Sequence, residues 1–153
     1  MGRDNIFLGT SGWSYKEWED VFYQKGEKRK LRAYSRVFKT VEIDSTFYRY
    51  PSKGMVMGWS RHSPSDFVFT AKLPKIITHD KKLGLKGDVK SDLEAFLEVM
   101  RPLQLEGKLA CLLIQLPPKY DLNLENLELF FELLDPNFKY AVEFRHLSWM
   151  GDE

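Results

Sequence analysis

Short apolar runs, four of the five carrying a polar or charged residue at or near the C-terminal end, alternate along this chain with stretches of helical periodicity. The runs cover residues 6–9, 40–43, 67–72, 110–115 and 140–145. Their length suits β-strands and is too short for buried helices. Between them, apolar residues recur at helical spacing: Leu31, Tyr34 and Phe38; residues 55–61; Val89, Leu93, Phe96, Leu97 and Met100; Leu124, Leu127, Phe131 and Leu134. Ser14 with Glu17 and Ser91 with Glu94 have the spacing of capping boxes. Gly107 closes the third helical unit, and Pro117-Pro118 stops the fourth strand. A βα order of this kind predicts an α/β fold of about five parallel strands with the helices outside.

The alternation within each run is finer. Val41 and Ile43, Phe67, Phe69 and Ala71, Leu112 and Ile114, and Val142 and Phe144 form one set, expected to face helices. Glu42 and Asp44, Thr70 and Lys72, Cys111 and Gln115, and Glu143 and Arg145 form the other. Putting the charged set on one side each time is what a TIM-barrel-like interior requires. A closed (β/α)8 barrel needs eight strands and typically about 250 residues. With 153 residues, the chain is expected to form one (β/α) domain over 1–153, an incomplete barrel, with open edges that a partner subunit would cover.

Charges on strands are costly unless they are paired or used. Glu42, Glu143, Lys72 and His79 are the candidate catalytic residues. The carboxylates suit general acid–base chemistry, the lysine suits charge or amine chemistry, and the histidine suits proton transfer near neutrality. Trp13, Tyr15, Ser11, Gln115 and Arg145 are the candidate ligand-binding residues: aromatics to stack, a hydroxyl before a helix start, an amide for a hydroxyl, and a guanidinium for an anion. Each has a structural counterpart, an internal network of ion pairs. No metal site and no cofactor is named by these residues. Glu143 and His146 do not have the helical spacing of a zinc motif.

Composition narrows the partners. A net charge of +1 gives no global attraction to nucleic acid or anionic membrane, and the basic stretches at 25–32 and at Lys81, Lys82, Lys86 and Lys90 read as solvated faces. No apolar stretch approaches the ~20 residues of a membrane span. Residues 1–5 lack the apolar core of a signal peptide. The single Cys111 pairs with no other cysteine and reads as a small buried residue. A cytoplasmic location is the expectation.

Five segments together resemble the YecE-like family, a domain of unknown function numbered 72. They are Gly9-Thr10-Ser11-Gly12-Trp13-Ser14-Tyr15, Glu42-Ile43-Asp44-Ser45-Thr46-Phe47-Tyr48, Phe69-Thr70-Ala71-Lys72-Leu73-Pro74 with Ile77-Thr78-His79, Leu113-Ile114-Gln115-Leu116-Pro117-Pro118, and Ala141-Val142-Glu143-Phe144-Arg145-His146 with Trp149. The resemblance runs in order through nearly the whole chain. It implies a TIM-barrel-like fold related in architecture to xylose isomerases and endonuclease IV, and no established activity. Family members are longer, so it also implies that this chain is the N-terminal part of a longer barrel. The expected function is binding of a small polar or phosphorylated ligand at the C-terminal ends of the strands, with hydrolase or isomerase chemistry. The alternatives are a non-enzymatic nucleic-acid- or protein-binding module, or a metal-dependent endonuclease-like enzyme.

Overall fold

The computed structural model describes residues 6–151. The apolar runs become strands β1 (Thr40–Ile43), β2 (Val68–Lys72), β3 (Leu109–Gln115) and β4 (Tyr140–Glu143), all parallel and in the order β1-β2-β3-β4. Helix α1 (Lys30–Tyr34) precedes β1, and helices α2 (Lys53–His62), α3 (Lys90–Leu105) and α4 (Leu124–Glu132) supply the three crossovers. Sequential parallel strands joined by crossovers of one hand carry their helices on one face.

Burial follows the sequence alternation. Val41, Ile43, Phe69, Ala71, Leu112 and Ile114 are inaccessible, packed with Phe96, Met100 and Leu103 of α3 and Val56 of α2 in one core. On the opposite face Glu42, Thr70, Lys72, Cys111, Leu113 and Gln115 are only half-buried. The sheet is therefore covered on one face and open on the other, and it does not close.

Among the described residues the strand count is four, and residues 6–9 are not a strand. Two bonds tie the segment after them to β1: Glu42 N–H donates to the Thr10 carbonyl at 3.0 Å, and Gly12 N–H donates to the Glu42 carbonyl at 2.9 Å. The next ladder bond would join Thr10 N–H to the Thr40 carbonyl. Instead Thr10 N–H donates to the Tyr34 hydroxyl at 2.9 Å, and that hydroxyl lies 3.0 Å from the Thr40 carbonyl. A side chain takes the ladder's place, and upstream of it Ile6 and Leu8 stand 89% and 72% exposed.

Three local expectations are also corrected. Ser14 with Glu17 opens only a short 3-10 turn, Lys16–Trp18, without a side-chain cap. Ser91 does not cap α3; Asp88 accepts from Lys90 N–H at 3.1 Å just ahead of it. Working caps sit at Ser52, which accepts from Met55 N–H, and Asn123, which accepts from Asn126 N–H. On α4 the buried face is Asn126, Leu127 and Phe130, whereas Leu124 and Phe131 are exposed.

Candidate functional site

The C-terminal ends of β1 and β2 bring three charges together. Lys72 Nζ lies 2.8 Å from Asp44 Oδ1 and 3.6 Å from Glu42 Oε1. Ser11 Oγ donates to Glu42 Oε1 at 3.0 Å. Ser11 reaches that carboxylate because the two bonds between residues 10–12 and β1 deliver the loop to the strand end. Beneath the cluster, Thr46 Oγ1 sits 2.8 Å from both the Ile43 and the Lys72 carbonyls and donates to one at a time, fixing the two strand ends to each other. Asp44 is the residue that the candidate set lacked. It lies two residues beyond Glu42, and period-two alternation is the signal for it.

Burial pulls the Lys72 ammonium down, but hydrogen bonding to Asp44 and the charges of Glu42 and Asp44 outweigh it and hold the pKa above the ordinary lysine value. Lys72 is therefore a fixed cation at neutral pH, which suits holding a ligand and opposes amine nucleophile chemistry. Cys111 is one strand over from Thr70, in the row of Glu42. Burial, and then the negative charge of Glu42, raise its thiol pKa, so it is a poor nucleophile. It is half-buried on the open face rather than packed in the core.

A second group lies at the end of β4. Arg145 Nε is 3.3 Å from Glu143 Oε1, and Glu143 pairs in register with Gln115. Both members of the ion pair are about two-fifths exposed. Glu42 and Glu143 are three strands apart, roughly 14 Å along a flat sheet at ordinary strand spacing, and they occupy different register rows. The two carboxylates thus belong to separate clusters, each with its own cation.

His79 is on a π-helical turn, Ile76–Asp80, just after β2. Its ring packs edge-on to Phe47 at 4.9 Å, and Nδ1 is 2.9 Å from the Thr78 hydroxyl. Burial first, then the positive charges of Lys75 and Arg145, push its pKa below the ordinary histidine value, against an opposing pull from Asp80. His79 is thus neutral at pH 7 and feels Arg145, which links the β2 end to the second cluster. His146 is occupied elsewhere: Nδ1 meets Ser148 and Nε2 faces Asp121 at 3.4 Å. Among the described residues no group of three His, Cys, Asp or Glu side chains is arranged to hold a metal ion.

Trp13 and Tyr15 flank the first cluster. They line a cleft with Asp44, Tyr48, Met55 and Trp59. The Tyr15 hydroxyl donates to the Ser11 carbonyl, and Trp13 meets Trp59 edge-on at 6.0 Å. Of the candidates, Ser11, Glu42 and Lys72 come together, with Trp13 and Tyr15 beside them. Gln115, Glu143 and Arg145 form the second group, and His79 packs on Phe47 in the turn after β2. No helix among the described residues is long and apolar enough to cross a membrane.

Comparison with known proteins places this geometry. The chain is 29% identical over 150 residues to the UPF0759 protein YunF of Bacillus subtilis, covering 95% of this chain and 52% of that one. It is 30% identical over 142 residues to the UPF0759 protein YecE of Escherichia coli K12, covering 92% and 48%. The chain therefore spans about half the length of the curated relatives it matches. Among solved structures, a DUF72 family protein from Thermotoga maritima superposes with a TM-score of 0.78 at 35% identity over 95% of this chain and 58% of that chain. A DUF72 family protein from Enterococcus faecalis does so with a TM-score of 0.80 at 26% identity over 95% and 52%. Residues 7–153 match the model of the family described as protein of unknown function DUF72, and the chain belongs to that family.

Proposed function

We propose that the strand ends of β1 and β2 bind a small polar or anionic ligand, with Glu42 as the proton-handling group and Lys72 as the fixed cation. The observation that carries this reading is the Glu42–Asp44–Lys72 cluster itself. Three charges with side chains 18–35% exposed sit on the open face of a sheet whose other face is wholly apolar. Packing needs none of them. Ser11 adds a hydroxyl on Glu42, and Trp13 and Tyr15 offer aromatic faces to a sugar-like ligand. On the second cluster, Gln115, Glu143 and Arg145 complete the polar lining, and neutral His79 is suited to accept a proton. Acid–base chemistry of the hydrolase or isomerase kind fits these groups. The architecture proposed with it is the N-terminal part of a TIM-like barrel, for which the sequential parallel order and one-sided helices speak. In that arrangement further strands, from more chain or from a second subunit, cover the open face.

The test is a thermal-shift and calorimetric screen of sugars and sugar phosphates against the wild type, Glu42→Gln and Lys72→Met. A ligand that binds the wild type and weakens tenfold or more in both variants supports the reading. Unchanged affinity in both would mean that the cluster only holds the strand ends together.

A further inference from the structure

Within the basic stretch at residues 28–36 only Lys30 is spent on an ion pair among the described residues. Arg29, Arg32 and Arg36 recur at helical spacing along α1 and the turn after it, and all three are exposed. Across a groove stand Arg61 and His62 at the end of α2, also exposed. Arg32 borders three adjoining concavities: one with Trp13, Trp59 and Met55, one with Arg36, Arg61 and His62, and one with Arg29 and Arg36. Among the described residues, Lys28, Arg29, Arg32, Arg36 and Arg61 make no salt bridge. Of the acids nearby, Glu19 holds Lys30 at 2.9 Å, and Glu27, which lines the groove, accepts from the Arg29 backbone N–H. His62 Nδ1 is tied to the Gly58 carbonyl at 2.7 Å, which leaves Nε2 as its free ring nitrogen.

The net charge of +1 conceals this local excess: against Lys28, Arg29, Arg32, Arg36 and Arg61, Glu27 is the one acid that lines these concavities. The groove also has an aromatic floor. Trp13 is half-buried, edge-on to Trp59, and both rings line the cleft that continues past Met55 to Tyr15, Tyr48 and Arg49. Guanidinium groups along a track with an accessible aromatic face at one end match a chain of phosphates bearing unstacked bases. A duplex keeps its bases stacked inside and has nothing to offer Trp13.

We propose that the groove between α1 and α2 binds single-stranded nucleic acid, with Arg29, Arg32, Arg36 and Arg61 on phosphates and Trp13 under a base. The arginines lie apart from the Glu42–Lys72 cluster, whereas Trp13 borders both surfaces; the arginine variants therefore test this proposal without touching the cluster.

The experiment is fluorescence anisotropy with a labelled single strand of about 12 nucleotides, within the usual footprint of such grooves, titrated at several salt concentrations. Four phosphate contacts predict a log–log salt slope of about −2.8, a loss of roughly 50-fold between 50 and 200 mM salt. Arg32→Ala with Arg36→Ala should flatten that slope by about 1.4. Trp13→Ala should weaken binding several-fold and leave the slope alone. Because Trp13 packs on Trp59, circular dichroism checks that each variant is folded, and Arg61→Ala, fully on the surface, repeats the slope test. Absence of binding at low salt, or a slope unmoved by the arginine variants, overturns the proposal. So does equal affinity for a duplex of the same sequence, which would mark a general polyanion surface, or for a mononucleotide, which would mark a small-molecule pocket.

Discussion

Lys72 is held more closely by Asp44, at 2.8 Å, than by Glu42, at 3.6 Å. Asp44 therefore anchors the cation, and Glu42, which also accepts from Ser11, is the carboxylate left with capacity to meet a ligand. Glu42→Gln should leave the Lys72–Asp44 pair in place, whereas Asp44→Asn should loosen Lys72. A crystal structure of each variant checks this: Lys72 Nζ stays within about 3 Å of position 44 in the first and moves away from it in the second.

The same pair sets a pH dependence. The folded-state pKa of Lys72 lies above its ordinary value of 10.5. The stabilisation it contributes is thus fully present below about pH 10.5 and is lost as pH rises through the higher folded value. Lys72→Met should cost about 1 kcal/mol at pH 7, as expected for a partly exposed ion pair. That gap should narrow above pH 11. Tyr23, Tyr50 and Tyr140, pushed up to about 12 mainly by burial, also erode stability in this range. The quantity to read is therefore the difference between wild type and variant in denaturant titrations. A gap that is flat from pH 7 to 11.5 would show that Lys72 gains nothing from its two neighbours.

His79 runs the other way. Its folded pKa is below 6.5, because burial and then Lys75 disfavour the imidazolium. Stability from this group is complete above pH 6.5 and falls as pH drops towards the lower folded value, where the unfolded chain binds the extra proton. The ring should titrate below 6.5 by NMR, and Lys75→Gln should raise the midpoint. A midpoint at or above 6.5 would remove the argument that His79 is a neutral base at pH 7.

How much of this was legible in the sequence follows from which interactions are local. Period-two alternation places Val41, Ile43, Phe69, Ala71, Leu112 and Ile114 on the buried face, and Glu42 and Lys72 on the other, as observed. Alternation depends only on backbone geometry, so tertiary context leaves it intact. The division of the charges into two clusters was not legible. Glu42 and Glu143 share the same local pattern, and only the strand order separates them by three strands. The α4 face was misplaced because Asn126, a polar residue, is buried by bonds to Tyr120 and the Lys82 carbonyl. Hydrophobic periodicity does not register a buried amide. The basic groove was hidden for a related reason: Arg29, Arg32, Arg36 and Arg61 come from two helices, and a run of charge reads as solvated until its partners in space are known.

Lys108 presents a different kind of buried cation. It is 8% exposed, and its ammonium donates to the carbonyls of Ser60 and Ser63 at 2.7 and 3.1 Å and meets the Ser63 hydroxyl at 3.2 Å. It thereby ties the end of α2 to the start of β3. Lys108→Met fills similar volume but leaves those oxygens without a donor, at an expected cost of about 2–4 kcal/mol. Urea denaturation measures it, and a loss under about 0.5 kcal/mol would mean that water replaces the ammonium freely.

Tyr34 tests why the chain before β1 is not a strand. Its ring is fully buried, stacked on Phe38 at 4.8 Å and near-parallel to Trp18 at 6.4 Å. The hydroxyl alone reaches Thr10 and Thr40. Tyr34→Phe keeps the packing and removes only that bridge, leaving Thr10 N–H and the Thr40 carbonyl to find each other or water. The expected cost is about 1–2 kcal/mol. Hydrogen exchange separates the local effect from a global one. The Gly12 and Glu42 amides, which hold residues 10–12 to β1, should exchange faster, while the β2 and β3 amides should shift only by the global loss of stability. Because Gly9 approaches the Thr40 carbonyl so closely that a Cβ would lie 2.2 Å from it, Gly9→Ala should loosen the same amides by steric displacement. If Tyr34→Phe instead protects the Thr10 amide, the two backbones have closed into a direct ladder bond. The hydroxyl would then be what keeps residues 6–9 out of the sheet.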